Sequence, residues 1–93
     1  MSKYSELSDH EINLEIPLRM GHTDLITIYP AWDWDDCYPV MDALLVMTTG
    51  INLKSDGTAM TEINGKQESA GGGHCRAICE LYLMAKDAEV RHG

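Results

Sequence analysis

The sequence has 93 residues, of which 44% are apolar, and a formal net charge of −8. This length fits a single domain spanning residues 1–93, with a small core and marginal stability. The excess of acid argues against direct binding to nucleic acid, which depends on Lys and Arg, and fits an acidic surface presented to a basic partner.

Cysteine usage and the start of the chain predict a cytosolic protein. The three Cys are an odd number, and the polar start MSKYSELSDHE lacks the apolar stretch of a signal peptide. No apolar run approaches the roughly 18 residues of a membrane span. We therefore expect free thiols and no membrane association.

The first predicted element is a helix that begins near Asp9. Ser8 and Glu11 have the spacing of a capping box, in which each residue's side chain bonds the other's backbone N–H. Pro17 is predicted to end or kink this helix, and Gly21 is a second plausible end.

A strand, a loop and a second helix are predicted next. Residues 24–29 (DLITIY) are short, β-branched and alternating, which is typical of a strand. Residues 31–36 (AWDWDD) read as a loop. Residues 39–49 are predicted to form a helix with Pro39 in its first turn and Gly50 after its end. Because this helix is apolar nearly all round, we expect it to be buried on most sides.

A hairpin and a long helix complete the predicted fold. Residues 51–54 and 58–63 alternate on either side of a turn that contains Asp56 and Gly57. Residues 66–70 are too polar to predict as a strand, and residues 74–90 form the last helix. The order α-β-α-β-β-α predicts a small α+β domain whose helices pack on an antiparallel sheet of about three strands.

The last helix carries two apolar stripes. The main one has the spacing of a single buried helix face and comprises Ala77, Ile78, Leu81, Tyr82, Ala85 and Ala88. Cys79, Leu83 and Val90 lie roughly opposite, with Cys75 nearby. This second stripe is either wrapped by other elements or forms the interface of a homodimer, the commonest oligomer.

Both ends of the chain, YSELSDHEIN and HCRAICELYLMAKDAE, resemble the ends of the NinX-like proteins, which lambdoid phages and prophages encode. The segment AWDWDDCYPVMDALLVMTTGINL is similar in layout to the middle of that family. Pro17 and residues 71–74 (GGGH) depart from the family pattern. The resemblance implies a phage or prophage origin and expression in the bacterial cytoplasm. It brings no catalytic residues, because that family has no established activity.

A Trp-containing acidic segment is the strongest candidate for a functional surface. No Lys or Arg lies between Arg19 and Lys54. Trp anchors many protein interfaces, and unbalanced carboxylates steer a basic partner. Alternatively, one Trp fills the small core and the acids are merely solvated. An extended segment would place both Trp side chains on the same side, which favours joint burial. The predicted partner-binding residues are Asp24, Trp32, Asp33, Trp34, Asp35, Asp36 and Asp42.

Cysteine and histidine supply the alternative hypothesis, a zinc- or thiol-dependent module or enzyme. Its residues would be Cys37, Cys75, Cys79, His22 and His74. The sequence contains no CxxC or HxxxH pair, so the ligands would come from scattered elements. The favoured hypothesis is therefore a non-enzymatic protein without metal or cofactor. It would bind and modulate a host or phage protein, such as a nuclease, a defence complex or a transcription component.

Overall fold

The structure is a computed structural model, and it describes residues 3–21 and 30–92. The order of elements confirms the predicted α+β class, whereas the strand predicted at residues 24–29 lies outside the described residues. A short 3-10 helix (Lys3–Glu6) is followed by α1 (Asp9–Arg19), α2 (Trp34–Met47), β1 (Ile51–Leu53), β2 (Ala59–Ile63), β3 (Lys66–Ala70) and α3 (His74–His92).

The first helix begins and ends where local side chains and backbone angles dictate. The capping box is complete, because the Glu11 N–H donates to Ser8 Oγ at 3.1 Å and the Ser8 N–H donates to Glu11 Oε1 at 3.0 Å. The helix continues through Pro17, which therefore does not end it. A proline this close to the C-terminus removes one backbone hydrogen bond with little helix left to disrupt. Gly21, the second predicted end, has φ of +83° and follows the C-cap.

The predicted hairpin is confirmed, and it belongs to an antiparallel sheet in the order β1-β2-β3. Leu53 pairs with Ala59, and the Lys54 N–H donates to the Thr58 carbonyl at 2.8 Å across the turn. The third strand is a correction, since residues 66–70 form β3 although they are too polar to predict as a strand. Asn64 and Gly65 both adopt positive φ, at 54° and 77°. That pair of angles suits a tight hairpin turn, so the turn and the backbone ladder specify β3 although its side chains are polar.

The last helix is the centre of the fold. It contacts α1, α2, β2, β3 and the 3-10 helix. Its predicted core face is confirmed for Ala77, Ile78, Leu81, Tyr82 and Ala85, which are all buried, whereas Ala88 is half-buried. No helix within the described ranges is both long and apolar enough to cross a membrane.

The opposite stripe of α3 corrects the predicted oligomer interface. Cys79 and Leu83 have no exposed surface, and Cys75 is also buried. These three residues are therefore covered by the chain's own elements, and α2 is the main neighbour of α3. The side chain of Val90 is not among those described. Cys79 and Leu83 have no surface to offer a second subunit.

A buried arginine joins the two ends of the chain. The Arg76 guanidinium donates to the carboxylates of Asp9 at 2.6 Å and Glu80 at 2.8 Å. It also donates to the backbone carbonyls of Tyr4, at 3.0 Å, and Leu7. Arg76 thereby fixes the 3-10 helix and the start of α1 against α3.

Candidate interaction surface

The Trp-containing segment is held firmly at its start. Pro30 and Ala31 are buried, and the Ala31 N–H donates to Asn13 Oδ1 at 2.8 Å. Asn13 is itself buried on α1. This contact fixes the backbone just before Trp32, so the exposed side chains that follow are presented from a defined position.

The second helix begins five residues earlier than predicted, at Trp34 instead of Pro39. Asp33 is its N-cap, and the Asp33 side chain accepts a hydrogen bond from the Asp35 N–H at 3.0 Å. Pro39 lies inside the helix, where it leaves the Asp35 carbonyl without an intrahelical donor. Because Asp35 and Pro39 are both exposed, water can satisfy that carbonyl.

The early helix start separates the two tryptophans. Trp32 precedes α2 and is 52% exposed, whereas Trp34 is its first residue and is 37% exposed. The extended conformation that would have buried them together is therefore absent. Of the predicted carboxylates, Asp33, Asp35 and Asp42 are exposed and Asp36 is half-buried, while Asp24 lies outside the described residues.

The second helix is buried on one face only, which corrects the expectation that it is covered on most sides. Cys37, Val40 and Leu44 form the buried face. The other side exposes apolar side chains that the sequence analysis did not single out. These are Tyr38, Leu45 and Val46, exposed by 52%, 42% and 87%.

Four apolar residues form a line along α2, which we call the α2 stripe: Trp34, Tyr38, Met41 and Leu45. The ring centroids of Trp34 and Tyr38 are 5.4 Å apart, so the aromatic end of the line is continuous. Met41 is half-buried and packs against the core. Their intervals of four, three and four residues can be read from the sequence, and this spacing was the signal that could have identified the stripe. The apolar residues of the buried face, which have a similar spacing, made the stripe hard to distinguish.

The segment that carries the stripe is acidic. Between residues 30 and 53 the described chain contains Asp33, Asp35, Asp36 and Asp42 and no Lys or Arg. The ring of His74, at the start of α3, lies 6.4 Å from that of Trp34. The His74 Nε2–H donates to the Lys54 carbonyl at 2.5 Å, which ties the beginning of α3 to the end of the first hairpin strand.

The three cysteines meet between α2 and α3. The Cys37 thiol donates to the Cys75 carbonyl at 3.9 Å and hydrogen-bonds with the thiols of Cys75 and Cys79. All three thiols are free and buried. His74 is engaged with the backbone, and His22 is not among the described residues. Within that part of the chain, no three His, Cys, Asp or Glu side chains are placed to hold a metal ion.

Mutual hydrogen bonding and burial determine the protonation of these thiols. The hydrogen bond from Cys79 lowers the pKa of Cys37, against the opposing effect of burial. Burial raises the pKa of Cys75 to about 12. The hydrogen bond to Cys37, together with burial, raises the pKa of Cys79. The neighbouring thiol is thus the main cause of the lowered pKa of Cys37, and burial keeps reagents away from this side chain.

No protein-family model, curated protein or solved structure matches this chain. The resemblance to the NinX-like proteins therefore rests on the terminal motifs and the layout of the middle segment.

Proposed function

We propose that this chain is a small acidic protein of phage or prophage origin that binds and modulates a basic host or phage protein in the bacterial cytoplasm. Its binding surface comprises Trp32, Trp34 and the carboxylates around them. The observation that supports this function is the exposure of both tryptophans in a segment, residues 30–53, that contains four aspartates and no Lys or Arg. The terminal motifs that resemble the NinX-like proteins support the phage origin.

The energetics of protein recognition favour these residues. Exposed tryptophans are unfavourable in water, and Trp is enriched among the residues that dominate interface energies. Carboxylates at the rim of such a site accelerate encounter with a basic partner and repel acidic ones. The contact between Ala31 and Asn13 holds the segment in place before binding, which reduces the entropy lost on association.

The thiol alternative has less support in the geometry. A catalytic thiolate needs access to its substrate, a neighbouring base and a group that orients the base. Cys37 is completely buried, and its hydrogen-bond partners belong to Cys75 and Cys79 instead of a histidine. Binding through the exposed surface is the function that these contacts favour.

A capture experiment with matched charge variants tests this function. Immobilised wild-type protein is incubated with bacterial lysate, the retained protein is identified and purified, and its affinity is measured. We expect a partner rich in Lys and Arg whose affinity falls with salt and is lost in Trp32→Ala and Asp42→Lys. Glu62→Lys, an equal charge change at an exposed residue of β2, should bind normally. Equal binding by all four proteins would place the interaction elsewhere.

A further inference from the structure

The α2 stripe has the geometry of a helix-packing seam. Trp34, Tyr38, Met41 and Leu45 alternate at intervals of four and three residues, the repeat by which one α-helix interlocks with another. The line covers about 17 Å of helix axis at about 1.5 Å per residue. Three of its four members are exposed, although such a seam is normally covered by a second helix.

The two flanks of the stripe differ in a way that defines its ligand. On one flank, Cys37 and Leu44 are buried in the chain's own core. On the other flank, Asp35 and Asp42 follow Trp34 and Met41 directly and are exposed. These aspartates are seven residues apart and therefore lie along the same side of the helix. A helix resting on the stripe would have one flank over the core and the other over two carboxylates.

We propose that the α2 stripe is the docking site for a basic amphipathic α-helix of the partner protein. Apolar residues of that helix pack between the aromatic rings and Leu45, and its Lys or Arg side chains pair with Asp35 and Asp42. This inference rests on the proposed function, because it specifies the kind of basic partner and extends the surface to Tyr38 and Leu45.

Backbone hydrogen bonding favours a helix over an extended peptide. Within α2 the backbone groups are engaged in the helix, so the stripe offers apolar side chains and few donors or acceptors. An extended peptide would lose water from its own N–H and C=O groups there without gaining partners, which is costly. A helix satisfies these groups internally, and its side-chain ridges match the intervals of the stripe.

Charge argues against a second copy of this chain as the occupant. If two α2 helices packed antiparallel along the stripe, the flank with Asp35 and Asp42 in each copy would face the same flank of the other. Like charges held close together across an interface are unfavourable. Each copy also carries a formal net charge of −8. A partner with positive charge on that flank turns the same repulsion into attraction.

Three synthetic peptides, the first two of identical composition, test the shape and charge requirements. One Leu–Lys peptide of about 14 residues, about three to four helical turns, places Leu at intervals of three and four. A second alternates Leu and Lys, and a third replaces Lys of the first with Glu. Both tryptophans of the protein lie in the surface, so their fluorescence reports binding of these Trp-free peptides. We expect the first peptide to bind at least about tenfold more tightly than the other two.

Leucine substitutions on two helices localise the binding. Leu45→Glu lies in the stripe, whereas Leu18→Glu makes the same change at an exposed leucine of α1. We expect Leu45→Glu to weaken the first peptide at least about tenfold and Leu18→Glu to leave it unchanged. Tyr38→Lys, at a second exposed position of the stripe, should reproduce the loss. Circular dichroism verifies that each variant is folded.

Each alternative result has a distinct meaning. Equal binding of both basic peptides, unaffected by Leu45→Glu, would overturn the helix-docking site while preserving an acidic surface that binds basic proteins. If neither basic peptide binds, helix docking is overturned. The lysate experiment then decides the proposed function independently. A concentration-dependent dimer that Leu45→Glu dissociates would identify a second copy as the occupant and contradict the proposal.

Discussion

Arg76 is a buried positive charge whose acceptors come from both ends of the chain. Its bonds to Asp9, Glu80 and the carbonyls of Tyr4 and Leu7 compensate the cost of removing the guanidinium from water. Glu80 is buried as well, at 4% exposure. Removal of Arg76 would therefore leave a carboxylate in the interior without its counter-charge.

We predict that Arg76→Ala lowers the free energy of unfolding by roughly 3–5 kcal/mol, the usual effect of breaking a buried ion pair. Lys86→Ala is the matched control on the same helix, because Lys86 makes only a 3.9 Å pair with exposed Glu89. We expect that change to remain within about 0.5 kcal/mol. Urea denaturation measures both values, and similar midpoints for the two variants would show that the arginine network adds no stability.

The Tyr4 hydroxyl makes stability depend on alkaline pH. Burial, and then the hydrogen bond to Asp87, raise the pKa of Tyr4 above its ordinary value of 10.0. A raised folded-state pKa stabilises the folded protein fully below the unfolded-state pKa, and this stabilisation is lost as pH rises through the folded-state value. We predict that stability decreases above pH 10.0 and that Tyr4→Phe makes this decrease shallower.

Urea midpoints measured from neutral to alkaline pH check that prediction. Burial also raises the pKa of Tyr82, so the Tyr4→Phe variant should retain part of the slope. An unchanged slope in Tyr4→Phe would show that the Tyr4 hydroxyl does not contribute to the pH dependence.

At the scale of elements, the start of α2 depends on a single cap. The Asp33 carboxylate accepts the Asp35 N–H, and the Asp33 carbonyl accepts the Cys37 N–H at 2.8 Å. We predict that Asp33→Ala lowers the free energy of unfolding by about 1 kcal/mol. Asp42→Ala, at an exposed position in the middle of the same helix, should have little effect. Equal effects in urea denaturation would contradict the capping role.

The sequence predicted elements well where short-range interactions specify them. The Ser8–Glu11 capping box located the start of α1, and Asp56-Gly57 located the first hairpin. The prediction from sequence was wrong where a stronger interaction overrides the local preference of one residue. Pro39 suggested a helix start, but the capping by Asp33 outweighed the one hydrogen bond that the proline removes.

The exposure of one side of α2 could not be predicted from the sequence, for a different reason. The helix has apolar residues on both sides, so its composition does not say which side faces α3. Contacts with residues far away in the sequence decide which side is buried, and they place Cys37, Val40 and Leu44 in the core. The acidic character of the surface was readable in advance because it needs no tertiary information. Tyr38 and Leu45 became candidates only once their exposure was known.

At the scale of the whole molecule, the core is small and depends on α3. Leu81 is completely buried at the centre of its main stripe. We predict that Leu81→Ala lowers the free energy of unfolding by roughly 2–5 kcal/mol, because it leaves a cavity. The total for a domain of this size is about 5 kcal/mol. Leu53→Ala, at an exposed leucine of β1, is the control, and comparable melting temperatures for both would show that the stripe is not the core.

The position of α3 in the chain has a consequence for biosynthesis. A ribosome makes the 3-10 helix, α1, α2 and the strands before α3, yet all except β1 have α3 among their principal neighbours. Until α3 leaves the exit tunnel, these elements lack the helix against which they pack in the folded protein. Arg76, which secures the N-terminal turn, also arrives late. We therefore expect these elements to stay accessible to proteases and chaperones until α3 has been synthesised, and to pack against it only then.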